Sequence, residues 1–118
     1  MRAPNYSDLE TIQRVWDVEN VKKLCAKRCY YIANDWRERE LEELWVTGEA
    51  AKKTASFGRN WGYYVGMDAI REYYVNHHNE LLDALPGEHR GDGCLFFHPA
   101  STGLVREAYD GKTARGLW

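Results

Sequence analysis

Cysteine is scarce in this chain of 118 residues, with only Cys25, Cys29 and Cys94 present. An odd number of thiols cannot close into a complete disulfide framework, so packing must hold the fold. Cys25 and Cys29 stand four apart in a helical pattern, and a zinc site there would need Cys94 plus a distant histidine. The thiols therefore read as buried and inert, with no metal. Long apolar runs are missing as well. None approaches the ~20 residues that cross a bilayer, which excludes a membrane-spanning helix and leaves no membrane partner expected. Residues 1–7 lack the apolar core of a signal peptide, so a cytoplasmic location is expected. Positive charge is not in excess either: 16 Lys and Arg against 18 Asp and Glu give a net charge of -2. That balance argues against a nucleic-acid partner.

What the chain does have is rings. Five Trp, eight Tyr and three Phe make up 14% of it. One domain over residues 1–118, burying roughly two thirds of its unfolded surface, needs some of them for a core. Eight tyrosines also bring eight hydroxyls that want partners. The question is whether the rings fill a core or line a cavity.

There is no internal repeat, low-complexity tract or linker-like stretch. Ser7 can cap a short amphipathic helix over 8–16, with Leu9, Ile12, Val15 and Trp16 on one side. Asp17 can cap a second run in which Val18, Val21, Leu24, Cys25, Cys29 and Ile32 recur at threes and fours. A third helix over 36–45 buries Leu41, Leu44 and Trp45, and the Arg and Glu residues between them read as a solvated face. After Gly48 two short strands, 54–57 and 61–65, flank a turn at Gly58-Arg59-Asn60. A helix follows from Asp68 to about Leu85 and stops at Pro86-Gly87. On it, His77 and His78 beside Asn76 and Asn79 read as a solvated face. Strands are expected over 95–98, 102–109 and 113–118, with a hairpin turn at Asp110-Gly111. This order describes an α+β domain: N-terminal helices packed on a curved antiparallel sheet, leaving a cone-shaped cavity suited to a small molecule.

Three runs carry a resemblance over nearly the whole chain. They are Tyr30-Tyr31-Ile32-Ala33-Asn34-Asp35-Trp36, Gly62-Tyr63-Tyr64-Val65-Gly66-Met67-Asp68-Ala69-Ile70, and His98-Pro99 with the later Asp110-Gly111-Lys112-Thr113-Ala114-Arg115-Gly116-Leu117-Trp118. Their order and spacing resemble the nuclear transport factor 2-like superfamily, closest to its SnoaL-like group, whose fold is a cystatin-like roll. Enzymes of that superfamily, such as scytalone dehydratase, bile acid 7α-dehydratase and ketosteroid isomerase, need no cofactor. They move protons on apolar, oxygenated ring substrates. The resemblance implies a cofactor-independent lyase or isomerase acting on a hydrophobic ring-containing small molecule. A non-catalytic ligand-binding or dimerisation module of the same fold is the alternative, because fold does not fix function.

The resemblance carries roles to particular residues. Asp35 matches the family's carboxylate, and in an apolar pocket such a group can exchange a proton with a C–H or a leaving hydroxyl. Asp35 also stands just before Trp36, where it would cap the third helix; Asn34 is then the other candidate for the catalytic direction. His98 matches the histidine that pairs with the Asp, and it also reads as a buried ring satisfied by a backbone carbonyl. Tyr30 matches the family's tyrosine, whereas helical geometry puts Tyr31 on the face of Asp35. Tyr31, Tyr63, Tyr64, Trp61 and Phe57 are the substrate-contact candidates, with one of Tyr63 and Tyr64 facing inward. The family's sheet continues beyond Trp118, so the last strands are expected to be missing. Either the sequence is truncated, or the open edge invites pairing, in a homodimer with or without strand exchange or with a separate partner chain.

Overall fold

The computed structural model describes residues 5–60, 62–89, 91–95 and 98–118. They fall into two compact units, one of residues 31–97 and one of residues 1–30 with 98–118. The α+β class is as expected, with an N-terminal helix and small antiparallel sheets. Trp61, Phe96 and Phe97 lie outside the described residues. Leu95 and His98, at the ends of the strand expected over 95–98, are in irregular structure.

In the unit of 1–30 and 98–118, the chain opens with helix α1 (Asp8–Ala33). Its start is a capping box. The Glu10 amide donates to Ser7 Oγ at 3.2 Å and the Ser7 amide donates back to Glu10 Oε2 at 2.8 Å. These bonds from Ser7 hold the Glu10 carboxyl below its ordinary pKa. The break expected at Asp17 does not occur. No Gly or Pro interrupts 8–33, and Asp17 accepts from Gln13 Nε2 one turn away at 2.8 Å instead of capping. Strands β3 (Leu104–Glu107) and β4 (Ala114–Leu117) pair antiparallel, from Leu104↔Leu117 to Glu107↔Ala114. The turn at Asp110-Gly111 forms as expected. Gly111 takes φ 69, and Asp110 Oδ1 accepts from the Lys112 amide at 3.0 Å. Arg14 reaches this hairpin, donating from Nη1 to the Ala108 carbonyl at 2.9 Å and from Nη2 to that of Tyr109.

The unit of 31–97 holds every buried residue among those described. The end of α1 is followed by α2 (Arg37–Glu43) and α3 (Glu49–Thr54). Helix α3 was not expected. It lacks apolar periodicity, but its Glu, Ala and Lys are strong helix formers, and Glu49 pairs with Lys52 at 3.2 Å. Strands β1 (Ser56–Arg59) and β2 (Gly62–Val65) form a hairpin whose turn lies between Arg59 and Gly62. Gly58, expected in the turn, is a strand residue opposite Tyr63. A Cβ there would come within 2.9 Å of the Tyr63 ring, so glycine admits the ring.

After Gly66 (φ 89), α4 (Met67–Arg71), a π-helical turn (Glu72–His77) and α5 (His78–Asp83) follow without a break. The core joins Ile32 from α1, Leu41 from α2, and Ile70, Tyr74 and Val75 from this helix. Burying Ile32 and Ile70 completely contributes about 2 kcal/mol each. Among the described residues, the strands form two separate two-stranded sheets, where one curved sheet was expected.

Candidate functional site

The end of α1 fixes the position of Asp35. The Asp35 amide donates to the Ile32 carbonyl at 3.0 Å and the Trp36 amide to that of Tyr31 at 2.9 Å. Tyr31 and Trp36 meet edge to face at 5.6 Å. These are the two bonds and the apolar contact of a Schellman motif, with Asp35 at its left-handed position. Asp35 has φ 56, the one positive φ outside glycine among the described residues. The N-cap position of α2 belongs to Trp36, so Asp35 stands one residue before the cap position.

Glycine is the cheap occupant of that position, and asparagine the next. A carboxylate there also faces the negative end of the α1 dipole. Local stability thus argues against Asp35. What the residue gains is its surroundings. His78 Nε2 lies 2.9 Å from Asp35 Oδ1, and Arg37 Nε lies 3.6 Å from the same oxygen. The pair is half-buried, with about a quarter of the Asp35 side chain and 15% of that of His78 exposed. With the proton on Nε2, the imidazole donates to the carboxylate, a pairing of the kind used to hold and orient acid–base groups.

A second carboxylate lies deeper. Glu40, on the charge run expected to be solvated, is fully buried. It accepts from Tyr74 Oη at 2.5 Å and from Trp45 Nε1 at 3.3 Å. The Tyr74 ring in turn lies under the Arg37 guanidinium at 4.7 Å. Glu40 therefore fixes the ring that backs the arginine beside Asp35. Tyr74 and His78 are four apart on the helix and His78 was expected in solvent. That spacing puts both on one side of the helix, where Tyr74 meets Glu40 and His78 meets Asp35.

Tyr31 and Tyr30 separate clearly. Tyr31 is buried and donates to Glu43 Oε2 at 2.5 Å, while Tyr30 is 61% exposed. That bond to Glu43 pushes the Tyr31 hydroxyl above its ordinary pKa, and burial adds to the shift. Tyr64 is half-buried and Tyr63 is 78% exposed, so Tyr64 is the inward member of that pair. Tyr64 stands opposite Phe57 across the hairpin, and both pack on Tyr73. His98 is exposed and belongs to the other unit. Within 31–97 the structure joins Asp35 to His78 and, through Arg37 and Tyr74, to Glu40, both unforeseen from the sequence. Asp35 lies beyond the end of α1, and the Tyr31 hydroxyl goes to Glu43 instead.

Among the described residues, no three His, Cys, Asp or Glu side chains gather as a metal-ligating group. Burial raises the Cys25 thiol above its ordinary pKa, and its neighbour Cys29 adds to this. No helix among the described residues is long and apolar enough to cross a membrane. Compared with family models, curated proteins and solved structures, the chain matches none.

Proposed function

We propose that this chain is a cofactor-independent lyase or isomerase that transfers a proton on a hydrophobic, ring-containing small molecule. The cone-shaped cavity of a nuclear transport factor 2-like domain would hold that substrate. One observation carries the reading: Asp35 occupies a strained position that disfavours a carboxylate, and that carboxylate meets His78 at 2.9 Å. Asp35 takes the proton from a carbon next to a carbonyl, or delivers it to a leaving hydroxyl. His78 orients the carboxylate and shares its proton. The Tyr31 hydroxyl is engaged by Glu43, so the tyrosine role that the resemblance implies stays with Tyr30. His98 is the histidine of the resemblance, and activity must decide between it and His78.

The test is solvent deuterium uptake at the acidic C–H of 2-tetralone and of an uncharged 3-ketosteroid. The wild type is expected to exceed buffer, and Asp35→Asn to lose about 10²-fold or more. Asparagine tolerates the left-handed backbone, so this variant keeps the turn. Equal rates for wild type and Asp35→Asn would remove the proposal.

A dimerisation module is the second reading, favoured by Leu9, Ile12 and Trp16. These lie along one face of α1 and are each more than half exposed. Light scattering on the wild type and on Ile12→Glu decides it: a dimer that the substitution dissociates supports pairing through α1, and a monomer at all concentrations excludes it.

A further inference from the structure

The π-turn displays its other face to a groove of about 630 Å³, lined by Tyr64, Ala69, Glu72, Tyr73, His77 and Glu80. Its volume lies in the range of small-molecule sites. Three of the lining side chains form a ladder of rings. Tyr64 stacks on Tyr73 at 4.2 Å and 17°, and His77 continues the stack at 6.0 Å and 25° from Tyr73. The faces of tyrosine rings carry negative potential and attract cations. The guanidinium of Arg59 already stands 6.0 Å over the Tyr73 ring. The described lining residues include two carboxylates and no Lys or Arg. Glu72 Oε2 accepts from Asn76 at 2.6 Å, and Glu80 stands 3.9 Å from His77 Nδ1.

We propose that this groove binds an organic cation with a flat apolar body, such as an aryl-substituted quaternary ammonium. The flat body extends the ring ladder, and the charge lies between the tyrosine faces and the two carboxylates. A quaternary ammonium is weakly hydrated, so ring faces can replace its water shell while the carboxylates meet its charge. The groove shares no residue with the Asp35–His78 pair, so it stands apart from the proton-transfer proposal.

Benzyltrimethylammonium is the probe, titrated into the full chain with the Tyr64 and Tyr73 ring resonances followed by NMR. Benzyl alcohol and benzenesulfonate are the neutral and anionic controls. Saturable shifts of those rings are expected with the cation alone, weakened roughly five- to tenfold in Glu72→Gln/Glu80→Gln. Both glutamates are exposed, so this variant folds. Equal binding of benzyl alcohol, an unchanged affinity in the double variant, or no saturable shift at these rings would overturn the proposal.

Discussion

Asp35 shows how one residue can set backbone and chemistry against each other. Its φ of 56 costs an ordinary L residue about 1 kcal/mol, and glycine nothing. Asp35→Gly and Asp35→Ala lose the same carboxylate and differ only in that backbone term. Urea denaturation is therefore expected to find Asp35→Gly about 1 kcal/mol more stable than Asp35→Ala. Equal stabilities would mean that the turn is not strained. The sequence could place Asp35 at the end of a helix, because the apolar pattern stops at Ile32. It could not show which helix end the residue serves, since a Schellman turn and an N-cap both favour short polar side chains. Glu40 was illegible for a related reason. Its neighbours Arg37, Glu38, Arg39 and Glu42 are charged, and nothing local marks which of them Tyr74 and Trp45 will meet from distant positions.

At the scale of elements, the reading succeeded where one local signal dominated and failed where signals competed. The Asp110-Gly111 turn and the hairpin of β1 with β2 follow from glycine and β-prone runs. The expected break at Asp17 followed capping propensity alone, and helix continuity prevailed because no breaker stands in 8–33. The π-turn, which carries Tyr73, Tyr74 and His77, had no signature at all in the sequence. Between α1 and α2, the bond from Tyr31 to Glu43 carries a pH dependence. Because the folded hydroxyl titrates above its unfolded value, its stabilisation is complete below about pH 10. It is lost as pH rises through the folded value. Glu43→Gln is expected to flatten this alkaline loss in thermal melts between about pH 9 and 12, leaving the neutral-pH profile shape unchanged. An unaltered alkaline slope would show that Tyr31 does not titrate against Glu43.

For the whole molecule, the aromatic excess serves a core and a groove in part, while Trp16, Tyr30, Tyr63 and Tyr109 are exposed. Tyr74 belongs to the core, Trp45, Phe57, Tyr64 and Tyr73 pack against it, and Tyr64 and Tyr73 also stack along a groove. That core lies wholly in 31–97 among the described residues, which fixes where stability concentrates. Amide hydrogen exchange is expected to protect Ile70 to Val75 at least tenfold more than β3 and β4, whose side chains are exposed or half-buried. Equal protection would contradict that distribution. Both strand pairings are local hairpins whose turns the sequence announces, whereas helix α3 and the burial of Glu40 had no such local signal.

The most direct test of the account is a double-mutant cycle on deuterium uptake by 2-tetralone, using Asp35→Asn and His78→Asn. If the pair acts as one unit, the double variant is expected to be no slower than Asp35→Asn alone. Additive losses, or a full loss in His98→Asn with His78→Asn unaffected, would show that His78 is not the partner of Asp35 in proton transfer.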